Sequence, residues 1–267
     1  MYNAEDLTFV VCAYGDNQNI PMTVQSLLNQ TAKAKVILST STPSDYLKGL
    51  AEKFQIDYFV NPERKGPGAD WNFGYSKAET KLVTIAHQDD LYEPEYAEQI
   101  LQAANDAKRP VILFTDYYEL RNGMRVSNNH ILEVKRKMNA VFKNRAMRGS
   151  HFWKRRVLSF GCPICCPSVT YNKELCGEAP FNTVFINSCD YQTFVDLIEI
   201  PGEFVYLPSQ LVGHRISEDS ATTRNLANNI RQQEDQQIFQ EFWPKAFAER
   251  LYKSYSSSEK SNDMEKK

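Results

Sequence analysis

The residues most able to do chemistry in this 267-residue chain are acids and histidines placed just after apolar runs. His87-Gln88-Asp89-Asp90 follows the run Leu82 to Ala86, and side-chain alternation puts His87 and Asp89 on one face with Asp90 at the turn. Adjacent carboxylates repel unless water or a cation offsets their charge. A hard divalent cation such as Mn²⁺ or Mg²⁺ takes oxygen ligands and bridges readily to phosphates. Read alone, the pair is better explained as a cap for a helix starting near Pro94. Tyr14-Gly15-Asp16 and Ser39-Thr40-Ser41 occupy similar places after two other apolar runs. Asp190 stands where a helical pattern begins, the position of an N-cap. Cys162-Pro163-Ile164-Cys165-Cys166 has a spacing that zinc sites use, but no second Cys or His pair follows at the usual distance, so these read as small core residues.

The elements that must position these groups alternate. Strand patterns cover Leu7 to Tyr14, Lys35 to Ser39, Asp57 to Val60, Leu82 to His87 and Val111 to Thr115, the last stopping at Asp116. Helical patterns cover Pro21 to Gln30, Pro43 to Phe54, Asp70 to Lys77 and Pro94 to Asp106. This predicts an α/β fold with a mostly parallel central sheet flanked by helices, and ligands then bind at the carboxyl ends of the strands. Further on, Asp190 to Ile198 reads as a helix and Phe204 to Leu207 as a short strand. Ile238, Phe239, Phe242, Trp243, Phe247 and Leu251 form one apolar helical stripe interrupted at Pro244, suited to packing on the domain or to a homodimer. The predicted organisation is a domain over 1–223, a helical appendage over 224–255 and a disordered tail over 256–267.

A hydrophobic share of 42% with a net charge of −2 excludes a disordered polymer and a uniformly basic nucleic-acid coat. No apolar run approaches the ~20 residues of a membrane span, and Met1 to Asp6 lacks the basic start of a secretory signal, so a cytoplasmic location is expected. One segment departs from the average: Lys135 to Arg156 carries nine Lys or Arg and no Asp or Glu. Such a run can approach anionic lipid at the inner face of a membrane or receive a diphosphate-linked acceptor, and no nucleic-acid motif accompanies it.

Five segments, in order, resemble the family 2 glycosyltransferases. They are Met22 to Thr31, Gly66-Pro67-Gly68-Ala69-Asp70-Trp71-Asn72-Phe73-Gly74, Thr84 to Asp90, Cys189-Asp190-Tyr191-Gln192-Thr193-Phe194, and Val205 to Ser220. The resemblance spans about residues 7 to 223. It implies the Rossmann-like GT-A fold and inverting transfer of a sugar from a nucleotide-diphosphate sugar, UDP-linked by preference, to a hydroxyl. The acceptor would be a glycan or lipid-linked glycan, as in bacterial surface polysaccharide synthesis.

By that resemblance Asp190 is the general base, and Asp89 and Asp90 hold Mn²⁺ or Mg²⁺. Tyr14 and Asp16 contact the nucleotide, Asp70 and Asn72 hydrogen-bond sugar or ribose hydroxyls, and Lys65 offers a cation to phosphate. Ser39 stands where the family often has an acidic residue reading the base. His87 replaces the first Asp of the metal motif. Ser217 occupies the usual His position of the last motif, leaving His214, three residues earlier, as the candidate metal contact. Asp116 is a weaker candidate for a sugar contact. A sugar nucleotidyltransferase fits less well, because Tyr14-Gly15-Asp16-Asn17 has no basic residue for a triphosphate. His87 and Ser217 leave a non-catalytic binding subunit as the other alternative.

Overall fold

The computed structural model describes residues 1–216 and 230–253. Strands β1 (Leu7–Ala13), β2 (Lys35–Thr40), β3 (Asp57–Val60) and β4 (Leu82–His87) pair in parallel in the order β3-β2-β1-β4. Their connections are helices α1 (Ile20–Leu28), α2 (Asp45–Phe54) and α3 (Pro67–Lys77). After the two-residue strand β5 (Leu91–Tyr92) and α4 (Tyr96–Asp106), the sheet becomes mixed. Strand β6 (Pro110–Arg121) pairs with the short β7 (Met124–Val126). Helices α5 (His130–Asn139) and α6 (His151–Leu158) carry most of the basic segment. Strand β8 (Val169–Asn172) inserts antiparallel between β4 and β6, and the short α7 (Lys173–Cys176) and α8 (Cys189–Leu197) follow. Strand β9 (Glu203–Ile216) closes the sheet, parallel to β6 and antiparallel to β5.

Two strands run further than the sequence predicts. β6 does not stop at Asp116 but continues to Arg121, and the segment expected as Phe204 to Leu207 extends to Ile216. Each supplies the other's backbone partners along this length, with register shifts on both sides of Asp116. The polar side chains that disguise the extension are satisfied: Arg136 donates to Asp116 at 2.6 Å, and Arg121 and Asn129 donate to Glu119.

The sheet is buried on both faces, as an apolar, β-branched β1 requires. Phe9 and Val11 join the core beneath α1, α2 and α4, with Leu38, Tyr92 and Tyr96. Val10 points the other way, into a second core with Ile85, Tyr75, Tyr171 and Phe194. The C-terminal helix α9 (Ile230–Phe242) lies on this second side: Ile238 belongs to its core and Phe239 is fully buried. Trp243 Nε1 donates to Ser159 O at 2.8 Å, and after Pro244 residues 245–253 are helical again. Ile238 and Phe242 of the apolar stripe thus pack on the domain, while Trp243 and Leu251 pack with Phe239, Ala248 and Tyr252, and Phe247 stays exposed. The expected boundary near 223 and the tail from 256 lie outside the described residues.

Candidate active site

Parallel pairing of β1 with β4 sets their carboxyl ends side by side. Gln88 clasps the backbone of Tyr14, accepting from its N–H at 2.9 Å and donating to its carbonyl at 3.4 Å. The Tyr14 ring is left 65% exposed over the sheet edge. Gly15 follows with φ of 68°, a left-handed turn that glycine adopts without strain, and donates its N–H to Thr42 Oγ1. Asp16 accepts a 2.6 Å hydrogen bond from Ser44, whose hydroxyl also caps α2 at Leu47 N.

Asp70, in the first turn of α3, receives Ser41 Oγ at 2.7 Å on one oxygen and Asn61 Nδ2 at 2.8 Å on the other. Ser39 is not at this edge. It is 2% exposed, and a Cβ built on Gly74 would lie 3.2 Å from its side chain, so α3 covers it and a nucleotide base cannot reach it. Ser41, two residues on, is the β2-end hydroxyl that meets Asp70. Lys65 points to solvent in an exposed pair with Glu63, while its neighbour Arg64 reaches inward to donate to Ser41 O. Asn72 does not offer a free amide. Its Nδ2 donates to Phe181 O at 2.8 Å and its Oδ1 accepts from Phe181 N at 2.9 Å, tying α3 to the loop before α8.

That junction is tight. A Cβ on Gly68 would sit 1.9 Å from the carbonyl oxygen of Asn182, a backbone atom that cannot turn aside. Gly68→Ala is expected to destabilise the fold by about 1–3 kcal/mol through overpacking. Thermal denaturation checks this, with the exposed Gly49→Ala as the harmless control, since its Cβ would meet nothing.

The two carboxylates after β4 have different surroundings. Asp90 is fully buried. It accepts from His214 Nδ1 at 3.1 and 3.2 Å and from the Arg215 N–H at 2.7 Å, while Arg215 Nε donates to Asp89 O. Sealed in this way, Asp90 does not face a bound ion; it fixes the end of β9 and the His214 ring. Burial alone raises its pKa, but the positive field of His214, its hydrogen bond and His87 together hold it below the usual carboxylate range. For His214 burial works downward and Asp90 more than offsets it, drawing the imidazole above its ordinary value. Asp89 is the opposite case. Its carboxylate has no hydrogen-bond partner among the described residues, and burial followed by the Asp90 charge pushes it up. His87 stacks on Trp71, ring centroids 5.3 Å apart, with Nε2 buried and without a partner among the described residues.

Asp190 lies in the first turn of α8, where its Oδ1 accepts from Tyr191 N at 2.8 Å. The N-cap itself is Ser188. The cysteine segment feels both acid centres. Burial drives the Cys165 thiol far up, and the charges of Asp90 and Asp190 both add to it, which sets this segment within electrostatic range of each. Cys162 and Cys166 are pushed up by burial likewise.

Asp116 is buried, 6% exposed, and held by Arg136, so it is not presented to a sugar hydroxyl. The basic segment spends much of its charge inside the protein. Arg136 also donates to two backbone carbonyls, Arg148 pairs with Glu203, Lys154 donates to Ile198 O and Ile200 O, and Arg155 donates to Glu241 O. Lys137, Lys143, Arg145 and Arg156 are exposed. Among the described residues no helix is long and apolar enough to cross a membrane.

The comparisons agree with this architecture. GpgS of Mycobacterium tuberculosis, glucosyl-3-phosphoglycerate synthase crystallised with Mn²⁺, UDP and glucosyl-3-phosphoglycerate, is 13% identical with a TM-score of 0.55, over 85% of this chain and 79% of that one. The mannosyltransferase PcManGT of Pyrobaculum calidifontis, in complex with GDP-Man and Mn²⁺, is 14% identical with a TM-score of 0.63, over 94% and 70%. TarS 1-349 of S. aureus, in complex with UDP-GlcNAc, is 15% identical with a TM-score of 0.65, over 91% and 73%. At such identities these likenesses establish the GT-A fold. The protein EpsH of Bacillus subtilis (strain 168) is 29% identical over 111 residues, 40% of this chain, which spans about a third (32%) of that relative. The model of glycosyl transferase family 2 matches residues 8–170, more than half of the sequence, and the chain belongs to that family.

Proposed function

We propose that this chain is an inverting, divalent-metal-dependent glycosyltransferase that moves a sugar from a nucleoside-diphosphate donor, UDP-linked by preference, to an acceptor hydroxyl. The observation that carries the proposal is the Asp90–His214 bond. A histidine that holds a metal usually gives its other ring N–H to a carboxylate, which fixes tautomer and orientation. Asp90 engages Nδ1 of His214 in this way, leaving Nε2 and the Asp89 carboxylate as ligand atoms without hydrogen bonds among the described residues. No cluster of three metal-binding side chains occurs among the described residues, and a Mn²⁺ or Mg²⁺ site completed by substrate phosphates does not require one. The unpartnered Nε2 of His87 lies beside the same turn. The residues fit a cation, which when bound would offset the charge that builds on the departing diphosphate.

The protein's own groups do the rest. The exposed ring of Tyr14 offers a face for the nucleotide base, and Asp16 keeps lone pairs beyond its bond to Ser44. Asp70, held from two sides by Ser41 and Asn61, is oriented to accept from a ribose or sugar hydroxyl. Arg64 takes the place of Lys65 as the cation on the donor side. Asp190 removes the acceptor proton as its oxygen attacks the anomeric carbon from the face opposite the leaving group.

Thermal denaturation with UDP-GlcNAc, UDP-glucose and GDP-mannose tests the reading, each with Mn²⁺ or with EDTA. At least one sugar nucleotide is expected to raise the melting temperature only when Mn²⁺ is present. A donor at a hundred times its dissociation constant adds about 2.7 kcal/mol, a shift of several degrees. Asp89→Asn is expected to abolish that shift. Equal stabilisation in EDTA overturns the metal dependence, and no stabilisation by any donor overturns donor binding.

A further inference from the structure

We infer that Glu234, on the C-terminal helix α9, is a positioning residue for the base Asp190; the inference rests on the transferase reading above. Glu234 is nearly buried, and its two oxygens collect three consecutive backbone N–H groups, those of Ile186 and Asn187 at 2.8 Å and of Ser188 at 2.9 Å. The preceding two N–H groups, Val184 at 2.9 Å and Phe185 at 3.0 Å, go to Asn182 Oδ1. Five donors in a row are thus held by two side chains, and the second half of the loop is held entirely from α9. Next to Glu234, Asp235 accepts the Ser188 hydroxyl at 2.6 Å. Ser188 is the N-cap of α8, and its side chain goes to α9 instead of capping its own helix.

Asp190 is two residues beyond Ser188, in the same turn. Its direction is set by the backbone of residues 186–188, which have no strand or helix of their own. The other end of the loop is pinned by the close approach of Asn182 to Gly68, at the start of α3. The loop therefore spans from the donor-side turn to the base, and Glu234 closes its base end. A carboxylate suits the task because it can accept several N–H bonds at once and its charge favours the N-terminus of α8. Gln keeps only one accepting oxygen, and Ala keeps none.

The experiment compares Glu234→Ala, Glu234→Gln and Trp243→Phe with the parent. Hydrogen exchange is followed at 184–190, and donor affinity and nucleoside diphosphate release are measured with UDP-GlcNAc, UDP-glucose and GDP-mannose in Mn²⁺. Trp243→Phe loosens the far end of the C-terminal segment by removing the bond to Ser159 O, without touching the loop. Glu234→Ala is expected to speed exchange at 186–188, leave β1 and β4 protected, keep donor affinity within about twofold and lower kcat by about 10- to 100-fold. Glu234→Gln should fall between, and Trp243→Phe should keep the parent kcat. Unchanged exchange in Glu234→Ala overturns the inference, as does parent-like kcat despite faster exchange. An equal kcat loss in Trp243→Phe also overturns it, since helix docking alone would then explain the effect. If Asp190→Asn releases the nucleotide at the parent rate, the assignment of the base fails instead, separately from Glu234.

Discussion

Asp190→Asn is expected to lower kcat by about 10²- to 10⁴-fold while leaving the donor dissociation constant within about twofold of the parent. The range is what a positioned general base contributes. The amide is nearly isosteric and keeps an oxygen to accept from Tyr191 N, the one hydrogen bond this side chain makes among the described residues, so the helix start survives. Loss of a negative charge in the first turn of α8 costs about 0.3–1 kcal/mol of stability, too little to unfold the chain. The competing role, an acid present only to stabilise the helix N-terminus, predicts a small drop in melting temperature and an undiminished rate. Ser188 at the N-cap gives its hydroxyl to Asp235, so the capping contribution of Asp190 is its bond from Tyr191 N, which the amide retains. Steady-state rates of sugar transfer, set beside donor binding by calorimetry, separate the two. Parent-like turnover in Asp190→Asn removes it from the chemistry.

The sequence and the structure agree best where a residue's role is fixed by its immediate neighbours. The apolar runs at Leu7, Lys35 and Leu82 could only be buried strands, and their parallel order follows from the helices between them. Strand β8 was not legible, because Val169 to Asn172 is four residues long and owes its conformation to β4 and β6 on either side. The extension of β6 was hidden for a similar reason: Asp116 reads as the end of a strand until Arg136, from a helix 20 residues later, neutralises it. Within the site, strand alternation leads to Ser39 and Ser41 alike, and only the packing of Gly74 shows which of them is covered. Glu234 lies in the polar run Arg231-Gln232-Gln233-Glu234-Asp235, which reads as a solvated helix face. Nothing local marks a carboxylate whose partners are nearly 50 residues earlier in the chain.

The same distinction between near and distant partners governs the second large effect, expected for Asp90→Ala. Removing this carboxylate strips His214 Nδ1 and the Arg215 N–H of their acceptor at a position closed to water. Breaking a buried charged pair from one side costs about 3–5 kcal/mol, and the lower end applies because His214 is about a third exposed. For a domain of this size that is a melting temperature lower by roughly 6–10 °C. A second consequence sets the variant apart from ordinary core damage. Without Asp90 the His214 ring is free to rotate and to move its proton onto Nε2, the atom offered to a cation. The Mn²⁺ concentration giving half-maximal donor stabilisation is therefore expected to rise by about 10- to 100-fold, the usual loss when the carboxylate behind a metal-binding histidine is removed. Asp90→Asn should retain the Arg215 bond and recover part of the stability, yet still need more Mn²⁺, because an amide oxygen holds the imidazole N–H less firmly than a charged carboxylate. Titrating Mn²⁺ against melting temperature for both variants checks the two effects together. If the Asp90 variants lose stability but bind Mn²⁺ as the parent does, His214 is only a clamp on β9, and the cation rests on Asp89 and the donor phosphates alone.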